Sequence, residues 1–177
     1  EELDLIVGIT SELTGFAPQL DFVELAAQLG RAYVRAGHPV LAKGSVDRAD
    51  LDAYGLAASH YAPSVLTQFA ETFGYVSAED LPVGVNSENT DLLCDLTANS
   101  DFVLLSTREC TRHATADGSL VEIKMELATE AEWTVASRRG RLQHPQAAAL
   151  VQVLRHVVMD AGGAAPKTGH EFAPLLA

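Results

Sequence analysis

The sequence is poor in basic residues, in aromatic residues and in cysteine. Lys and Arg together number 12 against 24 Asp and Glu, which gives a formal net charge of −12 at pH 7. A surface of that sign repels phosphate groups, so it argues against nucleic acids and anionic membranes as direct partners of this segment. Aromatic residues make up only 6% of the chain, so Ala, Leu and Val are expected to fill most of the core.

The patterns of membrane and secreted proteins are missing as well. The sequence contains no apolar run near the ~20 residues that span a bilayer. It does not open on the charged and apolar regions of a secretory signal. Cys94 and Cys110 are the two cysteines of the chain. Their wide spacing fits neither a metal motif nor a redox motif, and it predicts reduced, buried thiols in a cytosolic protein.

The residue types of common catalytic and metal sites are present, but their spacing does not suit those sites. Ser, His and Asp occur without a Gly-x-Ser-x-Gly elbow, which argues against a hydrolase triad. Lys43, Gly44 and Ser45 stand in the wrong order for a phosphate-binding loop. Cys110 and His113 lie three residues apart, but two further ligands are missing nearby. The sequence therefore predicts no catalytic residue, no cofactor and no metal.

What is present is the composition of an ordinary globular protein. The chain has 177 residues, of which 47% are hydrophobic and 20% are charged. That composition suits one sizeable domain or two small lobes. The sequence begins at Glu1 rather than at a methionine, so we expect it to be a piece of a longer protein.

Short apolar segments alternate with capped helical segments along the chain, which predicts an α/β fold with a largely parallel sheet. Strands are predicted at Leu3–Ile9, Asp21–Gln28, Arg31–Arg35, Gly55–Ser59, Leu81–Val85, Phe102–Leu105, Leu120–Leu127 and Trp133–Ser137. Helices are predicted at Asp47–Ala53, Ser64–Phe73, Ser87–Ala98, Arg108–Ala114 and from Pro145 to Gly162. Residues 10–19 are expected to form a loop. Ser45 or Asp47 is the expected cap of the first of these helices.

Six segments of the chain follow one another in a recognisable order. They are residues 3–8 (LDLIVG), the turn at 37–42 (GHPVLA), residues 55–59 (GLAAS), the helix that ends in Phe73 and Gly74, the segment 92–107, and the strand and helix within 133–158. This order and spacing resemble the effector-binding domain of LysR-type bacterial transcription regulators. The resemblance covers roughly residues 3–159, and it implies a two-lobed, type 2 periplasmic-binding-protein-like fold.

Two segments depart from the family pattern. Residues 99–102 read NSDF where the family usually has Gly-Leu-Gly-Ile, and Ser106 and Thr107 stand where it usually has Leu-Pro. The family's helix-turn-helix, its linker helix and the opening strands of its first lobe are also missing. The resemblance therefore implies a truncated first lobe at 1–20 and 131–160, a second lobe at 21–130 and a loose tail at 161–177. Either the sequence is a fragment, or partner segments complete it.

The candidate ligand site lies where predicted strands lead into helices. Ligands of α/β proteins bind outside the carboxyl ends of strands, where free N–H groups and the helix dipole favour carboxylates. The loops at 59–64 and 86–89 are such places, although Ser64 and Ser87 are equally explained as plain helix caps. The family's effector contacts fall in these loops and near the start of the strand at 102. The predicted effector-binding residues are Thr10, Ser59, His60, Tyr61, Ser64, Asn86, Ser87, Asp101 and Phe102.

The resemblance implies a cytoplasmic regulator domain rather than an enzyme. Its expected partners are a small effector, which bears a carboxylate, and further copies of the chain in a homodimer or homotetramer. DNA would be contacted only through a helix-turn-helix outside this chain. The helix 64–73 is a candidate for the subunit interface, which exposed Val65, Leu66 or Phe69 would support. The alternative is a periplasmic-type solute-binding protein, and a third hypothesis is an enzyme on the same scaffold, as in relatives of porphobilinogen deaminase.

Overall fold

Strands and helices alternate along the chain, as the sequence predicts. A computed structural model describes residues 5–125, 130–139 and 145–160. Its strands are β1 Leu5–Ile9, β2 Leu20–Leu29, β3 Arg31–Arg35, β4 Leu56–Ala58, β5 Val83–Asn86, β6 Val103–Ser106, β7 Leu120–Ile123 and β8 Glu130–Arg138. Its α-helices are α1 Thr10–Leu13, α2 Arg48–Tyr54, α3 Pro63–Thr72, α4 Thr90–Ala98, α5 Arg112–Ala116 and α6 Pro145–Asp160.

The structure differs from the predicted elements at several places. The expected loop at 10–19 is α1 followed by a 3-10 turn at Thr14–Gln19. A second 3-10 turn, Pro39–Ala42, follows the Gly-His-Pro turn. The helix predicted from Arg108 begins only at Arg112, because residues 108–111 form a turn. The predicted tail at 161–177 lies outside the described residues.

The chain divides into two compact units, unit 1 with residues 1–28 and 130–177 and unit 2 with residues 29–129. The sequence predicts the boundary after residue 20, whereas the structure has it after residue 28. The cause is β2, which joins β8 in the three-stranded sheet of unit 1, in the order β1-β8-β2. In this sheet β1 pairs with β8 in antiparallel register.

The helix α6 gives unit 1 its core. Its Val151, Leu154 and Val158 pack with Val23 and Leu25 of β2. The adjacent side of α6, about 100° round the helix, is also apolar, and it exposes three large side chains. These are Leu150, Val153 and Val157.

Unit 2 is built on a five-stranded sheet in the order β5-β4-β6-β3-β7. The strand β4 runs parallel to β5 and β6, but β3 runs antiparallel to β6 and β7. The prediction of a largely parallel sheet is therefore wrong, and the sheet is mixed. The prediction followed from strand-helix-strand connections, which place the strands that they join parallel to one another. It failed at β3, which lies between β6 and β7, two strands that come later in the chain.

Both faces of the unit 2 sheet are covered, because side chains alternate along each strand. On one face, Val103 and Leu105 of β6 pack with Leu51 of α2 and Phe69 of α3. On the other face, Leu104 packs with residues of α4, β3 and β7, which are Leu93, Cys94, Tyr33 and Leu120. The sheet edges are thus the places left for polar side chains.

Candidate functional site

One edge of the unit 2 sheet collects the carboxyl ends of three strands. Ala58 at the end of β4 lies in register with Asn86 of β5 and with Leu105 of β6. The backbone N–H of Ser87 donates to the carbonyl of Ala58 at 3.2 Å, which extends this pairing by one residue. The predicted loops after β4 and β5 therefore meet at one place, which we call the carboxyl edge.

The loop after β4 is fixed to this edge by Tyr61. Its hydroxyl donates to the carbonyl of Leu105 at 2.9 Å, and its ring meets the ring of Phe69 edge-on, with 5.7 Å between the centroids. Burial raises the pKa of Tyr61 to about 12, against an opposing hydrogen bond with Ser59. The phenol is therefore neutral at physiological pH. His60, beside it, is exposed.

Neither predicted serine is the cap of its helix. Ala62 is the N-cap of α3, with Pro63 in the first turn, and Ser64 is exposed. Asn89 caps α4 by accepting from the N–H of Leu92 at 3.1 Å. The Ser87 hydroxyl oxygen accepts from the N–H of Asn89 at 3.1 Å, and so it shapes the loop ahead of the cap.

The carboxyl end of β6 supplies residues that are missing from the predicted set. Ser106 ends the strand and Thr107 follows it. The carbonyl of Thr107 accepts from the N–H and hydroxyl of Thr111, at 3.3 and 3.1 Å. The hydroxyl of Thr107 itself is buried and has no hydrogen-bond partner among the described residues. The signal in the sequence is the place of Ser106 and Thr107, at the end of a buried strand where the LysR pattern has Leu-Pro.

Asp101 and Phe102 lie at the opposite edge of the sheet, because they precede β6. Asp101 accepts from Arg35 Nε at 2.8 Å. Its carbonyl lies 3.0 Å from Nε2 of the buried His38. The other ring nitrogen of His38, Nδ1, accepts from the N–H of Val40, so Nε2 carries the proton and donates to Asp101. These contacts hold the turn at 37–42 against the sheet, and they do not bring Asp101 to the carboxyl edge.

Phe102 packs against two glycines at this opposite edge of the sheet, which we call the amino edge. Its ring lies where side chains at Gly55 and Gly84 would stand, 2.8 and 2.6 Å from the position of a Cβ. The ring thus covers the starts of β4 and β5. Thr10, the last predicted site residue, belongs to unit 1, where its hydroxyl donates to the carbonyl of Glu132 at 3.0 Å.

The charges around Thr107 are already paired. Arg108 donates to Glu122 at 3.0 Å, and Arg31 lies 3.7 Å from the same carboxylate. These groups are partly exposed, so each pair contributes little stability. Within residues 5–125, 130–139 and 145–160, no group of three or more His, Cys, Asp or Glu side chains is arranged to hold a metal ion.

The two cysteines lie in different environments. Cys94 is buried, as predicted, whereas Cys110 is exposed, which corrects that part of the prediction; both are free thiols. Burial, followed by the negative charge of Asp91, raises the pKa of the Cys94 thiol. Its Sγ donates to the carbonyl of Cys110 at 3.8 Å.

A thiol reagent should therefore distinguish the two cysteines. We expect an exposed thiol to react in the native protein and a buried one only on unfolding. Intact-mass analysis after iodoacetamide should show one adduct, at Cys110, under native conditions and two in urea. The Cys110→Ser variant is the control and should show none before unfolding. Equal labelling of both thiols in the native chain would contradict the burial of Cys94.

Among the described residues, no helix is both long and apolar enough to cross a membrane.

One curated relative is similar over nearly the whole chain. It is the SDS degradation transcriptional activation protein of Pseudomonas sp. (strain ATCC 19151), which is 27% identical over 171 residues. The match covers 94% of this chain and 53% of the relative, so the chain spans about half the length of that protein.

Solved structures with the same fold include regulatory and effector-binding domains. A putative transcriptional regulator from Vibrio parahaemolyticus has a TM-score of 0.70 at 11% identity, over 89% of this chain and 72% of that one. The regulatory domain of MetR, a LysR-family regulator from N. meningitidis, has a TM-score of 0.66 at 16% identity, over 89% and 71%. The effector-binding domain of QuiR in complex with shikimate has a TM-score of 0.64 at 15% identity, over 89% and 73%.

These structures show the fold, which is the type 2 periplasmic-binding-protein-like fold. The family follows from the sequence itself. The family model for the LysR substrate binding domain matches residues 1–158, which is most of the chain. The alternative of a periplasmic-type solute-binding protein is not favoured. This chain belongs to the LysR substrate-binding domain family.

Proposed function

We propose that this chain senses a small, carboxylate-bearing effector at the carboxyl edge of unit 2, as the regulatory part of a LysR-type transcription regulator. The observation that carries the proposal is the meeting of the two predicted loops beside β6, through Ala58, Ser87 and Leu105. Ser59, His60, Tyr61, Ser64, Asn86 and Ser87 are the proposed contacts on this edge. Asp101 and Phe102 are left out of the proposed contacts, because they lie at the other edge.

The electrostatics of the edge favour an anion held by neutral donors. The helices α3 and α4 begin beside it, and helix N-termini favour negative charge. The nearby cation Arg108 is already paired with Glu122. Glu88 disfavours a carboxylate in the loop after β5, so the anionic group is best placed nearer to β4 and β6.

The relatives suggest which compounds to test. QuiR is bound to shikimate, a hydroxylated carboxylate, and the Pseudomonas relative is named for the degradation of an alkyl sulfate. We propose a panel of shikimate, benzoate, decanoate and decyl sulfate. Carboxylate and sulfate share oxygen acceptors, but only the alkyl compounds need an apolar channel.

The location and assembly of the regulator are part of the proposal. A transcription regulator works in the bacterial cytoplasm, and the net charge of −12 indicates that DNA is contacted by a segment other than this one. A homodimer or homotetramer remains the proposed assembly. The helix α3 gives this assembly little support, because Phe69 is buried and Val65 and Leu66 pack against the core of unit 2.

Ligand binding at this edge should depend on Ser87 and Tyr61. A compound that binds only the folded state raises the melting temperature, so a thermal-shift screen of the panel selects the probe. Calorimetry with that probe should show that Ser87→Ala and Tyr61→Ala each weaken binding by about 1–3 kcal/mol, because the first removes a hydroxyl from the site and the second releases the loop that Tyr61 fixes to Leu105.

Thr72→Ala is the matched control, because Thr72 is exposed at the far end of α3 and, among the described residues, its hydroxyl bonds the carbonyl of Gln68 on the same helix. It should leave the affinity unchanged. A panel without any binder would contradict an anionic effector. Full affinity in both site variants would place the site elsewhere.

A further inference from the structure

The hydroxyl of Thr107 stands apart from the other hydroxyls of the carboxyl edge. Tyr61 donates to Leu105, Thr111 donates to the carbonyl of Thr107, and Ser87 accepts from Asn89. Thr107 Oγ1 is buried but bonds none of the described residues. A buried polar group without a hydrogen-bond partner costs about 1–3 kcal/mol of folding free energy. The hydroxyl of Thr107 therefore lowers the stability of the free chain.

The place of Thr107 follows from the end of β6. Side chains alternate along a strand, and Val103 and Leu105 face the cluster that contains Phe69 of α3. Thr107 lies two residues beyond Leu105, directly after the last residue of β6. Tyr61 covers the same face, since its hydroxyl is bonded to the carbonyl of Leu105.

We infer that Thr107 determines the specificity of the site by donating its hydroxyl hydrogen bond to an oxygen acceptor of the effector. The inference rests on the proposed function, and it adds the chemistry of recognition. Arg108 is already hydrogen-bonded to Glu122, and Tyr61 already donates its proton to the carbonyl of Leu105. Thr107 therefore carries the buried hydroxyl of this edge that has no hydrogen-bond partner among the described residues, and it fits a carboxylate or sulfate oxygen.

The first test uses the chain without ligand. Thr107→Val keeps the size of the side chain and removes the hydroxyl. Removal of a buried hydroxyl that has no hydrogen-bond partner should raise the melting temperature of the free protein by about 2 °C or more. If Thr107 instead makes a stabilising hydrogen bond, the same variant should melt at a lower temperature, which would overturn the inference without any ligand being needed.

The second test uses the compound from the panel that binds the wild-type chain most tightly. Thr107→Val should weaken its binding about tenfold or more, which corresponds to about 1.4 kcal/mol, whereas Thr107→Ser keeps the hydroxyl and should stay within about threefold of the wild type. Equal affinity of wild type and Thr107→Val would overturn the inference and leave the proposed function intact. If the wild type binds none of the panel, the proposed anionic effector fails, and the melting temperature alone decides whether Thr107 carries an unmet hydroxyl.

Discussion

Replacing Gly55 with alanine should destabilise the protein by about 2–5 kcal/mol, because two costs fall on one residue. Gly55 ends α2 with φ 77° and ψ 166°, a combination that is essentially restricted to glycine. A Cβ there would also lie 2.8 Å from Cε1 of Phe102. The backbone cannot move away easily, since the N–H of Gly55 bonds Leu51 and its carbonyl accepts from Val103. Urea titration of the free energy of unfolding measures the loss.

Two other glycines separate these costs. Gly118 has φ +81°, but nothing lies within 4 Å of its Cβ position, so Gly118→Ala reports the backbone strain without a clash. Gly84→Ala reports the clash without a positive φ, because its Cβ would lie 2.6 Å from the Phe102 ring. Both variants should lose less stability than Gly55→Ala. A Gly55→Ala protein as stable as the wild type would mean that Phe102 does not occupy this place.

Leu93→Ala should cost about 2–5 kcal/mol, the usual range for a buried leucine. Leu93 is 1% exposed, and it packs with Tyr33 and Leu104. Its loss would leave a cavity between α4 and the central strand β6. The free energy of unfolding from a urea titration is again the measurement.

The neighbouring residue gives a control of the same chemistry. Leu92 is on the same helix but is 53% exposed, so Leu92→Ala changes helix propensity by the same amount and removes little packing. It should cost under about 1 kcal/mol. Similar losses in the two variants would show that α4 does not face the sheet in the way described.

Local chemistry made several elements predictable. Asp47 was one of two expected caps of α2, and it closes a reciprocal capping box with Asp50. The spacing of Ala149, Leu150, Val153, Leu154, Val157 and Val158 predicts one apolar face of α6. Leu154 and Val158 pack against the core of unit 1, whereas Leu150, Val153 and Val157 are exposed. Each of these signals lies within a few residues of the element that it specifies, so no distant contact is needed to interpret it.

The pairing of strands that lie far apart in the chain could not be predicted from the sequence. Nothing local in β2 says that it pairs with β8 rather than with β3, and nothing in β3 says that it inserts between β6 and β7. The distance of Asp101 from the other site residues was predictable, because a residue before a parallel strand lies at the amino edge. The unmet hydroxyl of Thr107 could not be predicted, since it depends on which groups fail to reach it.

The contact of Phe102 with two glycines links three positions that are far apart in the sequence. In any relative that keeps this packing, a side chain at the position of Gly55 or Gly84 would collide with the ring. We therefore expect relatives with a larger residue at either position to carry a shorter one in place of Phe102. Packing thus couples Phe102 to Gly55 and Gly84, so we expect substitutions at these three positions to be compensatory rather than independent.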